Sequence, residues 1–317
     1  MKILVTGSLG FIATNLIRKI AKNGNNFIYG IDSLISGSAN EEFTKKICKH
    51  NFFDLNEKDK LKDCLNGIDI VIHLAARGNV IESINDPILN FNSNVYSTLN
   101  LLECMKEKNV KNLIFSSTGG ALIGNCEPPV NENSKPNPIS PYGASKMACE
   151  GYISAYAESF DIKSVVLRFG NVYGPYSKHK KGVLNKWIIS ALKNQPIIIY
   201  GDGSSSRDYI HVDDLSDGII SAIRFLYSDK SKKNNLFHLA NNNETTLNDL
   251  TKVLKIINGK DLKIKYLPNR KGEVFRNFAD TTRASLNLGF KPLIKLEDGI
   301  RDIYNWFKLN LDNEISS

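Results

Sequence analysis

Tyr142 precedes Lys146 by four residues in PYGASK, the spacing that sets a phenol and an ammonium one above the other on a helix. Such a pair can move a proton. A phenol, with a pKa of about 10, is a poor base at neutral pH, and a neighbouring cation makes its anion easier to form. A hydroxyl near the phenol would polarise a substrate oxygen, and FSST (115–118) supplies Ser116, Ser117 and Thr118 at the end of an apolar run. By itself Y-x-x-x-K also reads as a solvent-facing helical turn, so its setting has to decide.

That setting begins where the strand-like KILVT runs into TGSLGFIA. Gly7, Gly10 and Ala13 fall at i, i+3 and i+6. The first lets the chain turn tightly, the second lets backbone approach a pyrophosphate, and the third keeps helix and strand close. The helix that starts there offers free N–H groups and a partial positive charge to phosphate. A second strand ends in FIYGID, with Asp32 22 residues beyond Gly10. A carboxylate there accepts from both ribose hydroxyls and repels a 2′-phosphate, so the expected cofactor is NAD and not NADP. The oxidised nicotinamide ring would then bring a second positive charge to the phenol. Asp54, at the next strand end in FFDL, either accepts from the adenine amino group or caps the helix that follows.

These residues need a sheet to carry them. KILVT (2–6), FIYGI (27–31), HNFFD (50–54), IDIVIHL (68–74), NLIFSS (112–117) and KSVVLRF (163–169) alternate with helical stretches, notably 86–108 and 141–160. That rhythm predicts a parallel sheet wrapped by helices. After residue 172 it loosens into a helix at 183–194, a strand at 197–200, a helix after Val212 and a strand at 236–240. Helices near 246–257 and 297–309 follow, then a polar tail expected to fray. The predicted class is α/β: a Rossmann-type doubly wound parallel sheet with a smaller interleaved C-terminal α/β substrate lobe. Residues 1–171 with 211–241 would form the NAD-binding domain, and 172–210 with 242–317 the lobe.

Composition excludes several classes. The five cysteines include no C-x-x-C pair and the five histidines no H-x-x-x-H spacing. This argues for a reducing compartment and against a disulfide framework or a metal site. No run approaches the roughly 20 apolar residues of a membrane-spanning helix. MKILVTGSLG turns glycine-rich too early for a signal peptide, so the expected location is the cytoplasm, with no membrane partner. The net charge of +8 comes mostly from lysines spread along the chain, which does not favour nucleic acid as a partner. Its densest run, KHKK at 178–181, is either a solvated loop or a pocket rim that attracts a phosphorylated substrate.

Taken as an ordered set, TGSLGFIA, Asp32, HLAA (73–76), SST (116–118), YGASK, NVYGP (171–175), IYGDGSSSRDYIHVDD (199–214) and RKGE (270–273) resemble the extended short-chain dehydrogenase/reductase family. Within it they resemble the nucleotide-sugar epimerases and dehydratases of the UDP-glucose 4-epimerase type. The resemblance covers nearly the whole chain. It implies a cofactor shell of Gly7, Gly10, Phe11, Ile12, Asp32, Asp54, Leu55, Leu74, Ala75, Ala76 and Asn94 beside Tyr142 and Lys146. Asn94 reads otherwise as a plain polar residue of a helix, and His73 as a packed strand-end histidine. Thr118, with Ser117 as the competing choice, would be the hydroxyl partner of the Tyr–Lys pair. Asn171 would touch the sugar nucleotide, and Arg207 and Arg270 would grip its diphosphate, which suits guanidinium geometry. Without the family both arginines read as surface loop residues.

Enzymes of this group begin alike: the tyrosinate takes a proton from a sugar hydroxyl while hydride passes to NAD. A 4,6-dehydratase then needs an Asp-Glu pair just after the strand-end threonine. Here STGGA places Gly119 and Gly120 there, which disfavours elimination. An epimerase needs no further residue, because the ketone rotates and takes the hydride back on its other face. The expected function is a UDP-hexose or UDP-N-acetylhexosamine 4-epimerase acting through a 4-keto sugar. A C4 dehydrogenase or reductase fits equally well if NADH leaves. A non-catalytic NAD-binding regulator would need neither the Tyr–Lys pair nor the diphosphate arginines. The chain departs from the pattern at Ile123, which replaces the usual tyrosine of the strand-end loop, and at ANNNE (240–244), which lacks a glycine that approaches the base. The helices at 86–108 and 141–160 resemble the pair that builds a four-helix bundle between subunits, implying a homodimer.

Overall fold

Apolar residues alternate sides along the first strand. Ile3 and Val5 enter one hydrophobic cluster and Leu4 another, and all three are buried. A strand apolar on both faces must be covered on both, the condition met by parallel sheets flanked by helices. The structure, a computed structural model, describes residues 1–22, 24, 26–34, 40–269 and 274–315, with the backbone alone described from 311.

Seven strands pair in parallel in the order β11-β6-β5-β4-β1-β2-β3. They are β1 (Lys2–Thr6), β2 (Phe27–Asp32), β3 (Lys49–Phe52), β4 (Ile70–His73), β5 (Asn112–Thr118), β6 (Lys163–Phe169) and β11 (Asn234–Leu239). One face is covered by α1 (Phe11–Ala21) and α10 (Val212–Leu226), the other by α3 (Lys58–Cys64), α6 (Ser97–Glu107) and α8 (Pro141–Phe160). Each buried leucine or isoleucine of these clusters contributes on the order of 2 kcal/mol. Short helices α2 (Glu41–Thr44), α4 (Val80–Asn85), α5 (Pro87–Phe91) and α7 (Gly120–Ile123) lie in the connections that leave the C-terminal ends of β2, β4 and β5. The order reverses around β1, so those connections frame a crevice above the carboxyl ends of β1 and β4.

The rest of the chain adds three small ladders. β7 (Asn171–Tyr173) pairs with β10 (Tyr209–His211), β8 (Ile197–Tyr200) with β13 (Ile264–Leu267), and β9 (Ser206–Arg207) with β12 (Thr245–Thr246). Helices α9 (Val183–Leu192), α11 (Leu247–Asn258) and α13 (Leu296–Ile315) share a third cluster built on Leu184, Trp187, Leu250, Leu254, Ile300 and Phe307. Helix α12 (Thr282–Leu288) packs its Ala284 against the sheet cluster.

Two elements differ from expectation. The single helix over 86–108 is instead α5, a π-helical turn at Asn92–Tyr96, and α6. The cause is the polar run after Phe91: Ser97 Oγ donates to the Asn92 carbonyl at 3.0 Å and Thr98 Oγ1 to that of Asn94 at 2.5 Å, in competition with the regular ladder. The tail expected to fray after Lys308 continues as helix to Ile315.

Candidate active site

The glycine turn forms as its residue types require. Gly7 has φ +65°, and a Cβ there would stand 2.8 Å from Ala75 Cα, so the β1–α1 turn presses directly on the end of β4. Helix α1 starts at Gly10 with no side-chain cap, leaving its first N–H groups open toward the crevice. The Phe11 ring is buried in the core and Ile12 is half-buried. At the end of β2, Asp32 is buried and each oxygen accepts one backbone N–H, from Leu9 and from Leu34, both at 2.9 Å. A carboxylate so held keeps further lone pairs for ribose hydroxyls. Leu74 and Ala75 are half-buried and Ala76 exposed at the end of β4, and Leu55 is buried beyond β3. Asp54 is exposed, and its Oδ1 accepts from Asn56 N–H at 2.9 Å, a turn that leads into α3. The uncapped helix, the buried carboxylate at the end of β2 and the small residues at the β4 end fit a dinucleotide.

Asn94 lies where the loop after β4 meets α8. It is buried, and its amide takes Arg77 N–H at 2.8 Å while donating to the Arg77 carbonyl at 3.2 Å and to Ser145 Oγ at 3.0 Å. It therefore holds the β4 loop to α8. Arg77, Gly78 and Ser83 of that loop lie at the site and were missed by sequence reasoning.

Helix α8 presents the Tyr–Lys pair. Ser140 caps it by accepting from Gly143 N–H at 3.2 Å, and Pro141 occupies its first turn. A Cβ on Gly143 would stand 2.0 Å from the Ala121 carbonyl, so only glycine lets α8 close on α7. Tyr142 N–H donates to Ser83 Oγ at 3.1 Å. Its phenol oxygen lies beside Gly78, where an added Cβ would be 3.8 Å away, with the Thr118 side chain near enough to favour its anion. One turn on, Lys146 is buried; its Nζ donates to the Ser116 carbonyl at 2.8 Å and sits 4.7 Å from the centre of the Phe115 ring.

Burial governs both groups. It pushes the Tyr142 phenol up to about 12, against the nearby Thr118 hydroxyl, which favours the anion. It pulls Lys146 down to about 8, against the negative fields of Cys149 and Glu150. In the protein alone the phenol is not lowered by its lysine neighbour: burial raises it, and Thr118 is what opposes the rise.

The three strand-end hydroxyls go to different places. Ser116 Oγ donates to the His73 carbonyl at 3.0 Å, and Ser117 Oγ donates to Glu150 at 2.5 Å. Glu150 also receives Arg168 Nε and Nη2 at 3.0 and 2.8 Å, a buried ion pair on the far side of the strand end. Of the three, only Thr118 acts on the phenol, favouring its anion. His73 is packed as expected, its ring between Thr6 at 2.6 Å and Thr98 at 3.0 Å.

Across the crevice, Asn171 is exposed at the start of β7, its N–H donating to the Asp208 carbonyl at 2.6 Å. Arg207 is half-buried, and its Nη1 donates to the carbonyls of Ser206 at 2.7 Å and Phe275 at 3.3 Å. Arg270 lies outside the described residues. Glu244, unremarked in ANNNE, braces this edge by accepting from Ser206 Oγ at 2.5 Å and from Arg276 at 2.8 and 3.0 Å. Nothing local in sequence marks that pairing. Ile123, where the family has tyrosine, is buried with Leu122, Val130, Ala240 and Ala279. Among the described residues no group of three or more His, Cys, Asp or Glu is placed to hold a metal, and no helix is long and apolar enough to cross a membrane.

Comparison with known proteins agrees with this geometry. The model of the NAD dependent epimerase/dehydratase family matches residues 3–236. A UDP-glucuronate 4-epimerase of Thermodesulfobacterium geofontis is 32% identical, over 98% of this chain and 97% of its own. The crystal structure of UDP-glucose 4-epimerase from Thermotoga maritima with UDP-glucose superposes with a TM-score of 0.92 at 34% identity, covering 98% of this chain and 100% of that one. The UDP-N-acetylglucosamine 4-epimerase of Methanobrevibacter ruminantium, solved with UDP-N-acetylmuramic acid, gives 0.89 at 31% identity and covers 98% of each chain. With its doubly wound sheet, uncapped glycine-turn helix and Tyr142–Lys146 pair, this chain belongs to the NAD-dependent epimerase/dehydratase family of extended short-chain dehydrogenase/reductase enzymes, whose cofactor is NAD.

Proposed function

We propose that the chain is a nucleotide-sugar 4-epimerase for a UDP-hexose or UDP-N-acetylhexosamine, working through a transient 4-keto sugar. The observation that carries this reading is the Tyr142 phenol placed near Thr118 and one helical turn from buried Lys146, with Gly119 and Gly120 where elimination would need acids. The three relatives above differ in sugar and share C4 inversion in their names. NAD, when bound, supplies a hydride acceptor that can return what it took and, oxidised, a positive charge. Asp32 holds its ribose, the α1 N-terminus its diphosphate, and Lys146 orients it. Tyr142 Oη takes the proton of the sugar 4-hydroxyl and gives it back, with Thr118 Oγ1 polarising the same oxygen. Asn171 and Arg207 face the sugar nucleotide. Residues 1–171 with 211–241 thus serve NAD, and 172–210 with 242–317 the sugar.

Purified protein given UDP-hexoses without added NAD is expected to invert C4 with no build-up of NADH. Net NADH or a released keto-sugar would make it a dehydrogenase or reductase instead. Thr118→Ala should lower kcat by about 100-fold, the scale of one lost transition-state donor. Ser117→Ala should cost about 1 kcal/mol of stability, because Glu150 keeps Arg168, and change kcat less than about threefold. The reverse pattern would hand the role to Ser117.

The five cysteines, all free, suit a reducing compartment, and we place the enzyme in the cytoplasm. We also infer a homodimer. Helices α5 and α8 and the π turn expose Ile88 at 70%, Phe91 at 51%, Tyr96 at 48% and Tyr152 at 43%, a large apolar surface for helices to leave in water. The double variant Ile88→Glu, Phe91→Glu should run as a monomer by light scattering. A wild type already monomeric at micromolar concentration would end the inference.

A further inference from the structure

The basic run 178–181 is exposed at Lys178 and Lys181 and half-buried at His179 and Lys180. The segment from Pro175 to Gly182 leaves β7 and lies across the glycine turn. Asn15 Nδ2 donates to the Pro175 carbonyl at 3.0 Å, and buried Asn40 joins the Leu9 and Tyr176 carbonyls at 3.0 and 3.1 Å. The Tyr176 ring packs on Phe43 at 4.6 Å and carries the Arg18 guanidinium at 4.8 Å. Within this segment His179 feels the negative field of Asp32, the ribose acid. Lys180 is half-buried, its Nζ 5.3 Å from the centre of the Phe11 ring and donating to the Val172 carbonyl. Lys181 reaches the other bank, pairing with Glu82 of α4 at 2.8 Å, next to Ser83, which holds the Tyr142 backbone.

A half-buried ammonium that meets a carbonyl and a ring, and no carboxylate among the described residues, is incomplete. Burial pulls it down to about 8. Phe11 is the first residue of α1, whose open N–H groups are the place for a diphosphate. We propose that Lys180 is a cofactor-binding residue, the cation that holds the dinucleotide diphosphate from the side opposite the glycine turn, with Lys181–Glu82 latching the segment over it. The proposal rests on the NAD site described above and extends it. It also supplies a reason for NAD to stay: an epimerase must keep the reduced cofactor until the ketone has turned.

Calorimetry on nucleotide-free protein tests it without turnover. Lys180→Met should weaken NAD by at least about tenfold, as loss of a charge-assisted contact does, and flatten the dependence of affinity on salt. Lys180→Arg should stay within about threefold, and adenosine, which lacks phosphate, should bind wild type and Lys180→Met alike. Glu82→Gln should speed NAD dissociation several-fold, and Lys186→Met, exposed on α9, should change nothing. Should Lys180→Met fail to fold by circular dichroism, Lys180→Gln replaces it as the charge deletion. Wild-type NAD affinity in either charge deletion overturns the proposal and leaves the epimerase reading standing. Lys180-dependent NAD binding in a protein that inverts no UDP-sugar supports the proposal and sinks that reading. A wild type that binds no NAD overturns both.

Discussion

Tyr142→Phe is expected to stop C4 inversion, with kcat falling by about 10³-fold or more, the range of a lost general acid–base group. The substitution removes one oxygen. The helix keeps its Ser140 cap, and the backbone keeps its bond to Ser83 at 3.1 Å, so neither fold nor cleft shape should change. NAD and UDP-sugar should bind nearly as before, and KM should move far less than kcat. What disappears is the phenol that accepts and returns the proton in this reading. In the wild type the phenol, held near 12 by burial, can ionise near neutral pH only once positive charge stands beside it. The rate should therefore fall on the acid side of the pH profile, in a step that belongs to the Tyr142–Lys146 pair together. A phenylalanine variant within tenfold of wild type, by chromatography of the two epimers, would remove Tyr142 from the chemistry.

The parts of this site that could be read from sequence are those whose cause is local. Gly7, Gly10 and Asp32 lie within one strand–helix–strand unit, where spacing alone sets geometry, and the structure holds Asp32 against the glycine turn through Leu9 N–H. Ser140 and Pro141 announce the start of α8 for the same reason. That Ser117 turns to Glu150 was within reach too: neighbours on a strand face opposite ways, and Glu150 waits two turns beyond Tyr142. The rest is set by tertiary contact. The π turn needs Ser97 and Thr98 to bond backward, which a helical period does not reveal. Asn94 looks like any helix asparagine until Arg77 is folded onto it. Lys180 meets Phe11 from the other half of the chain, and only the path of residues 175–182 over α1 brings it to the start of that helix. Proton affinities were the least legible, because charge proximity is visible in a motif and desolvation is not.

Lys146→Met is expected to separate stability from activity. Burial lowers this lysine from 10.5 to about 8, so between those values the unfolded chain holds more protons than the folded one. By linkage, its destabilising effect is full below about pH 8 and is relieved as pH rises toward 10.5. A shift of that size corresponds to about 3 kcal/mol carried by the folded protein at neutral pH. Methionine has nearly the same length, keeps contact with the Phe115 ring and brings no charge into the core. Glu150 is not orphaned by the change, since Arg168 holds it at 2.8 and 3.0 Å. Without NAD, the variant should therefore melt several degrees above wild type at pH 7, and the gap should narrow by pH 9.5. Its kcat should drop by about 10³-fold, since the lysine that orients the cofactor and supports the phenolate is gone. A variant less stable than wild type at pH 7, by differential scanning calorimetry, would show that the Ser116 carbonyl bond outweighs desolvation and that Lys146 is part of what holds the strand end together.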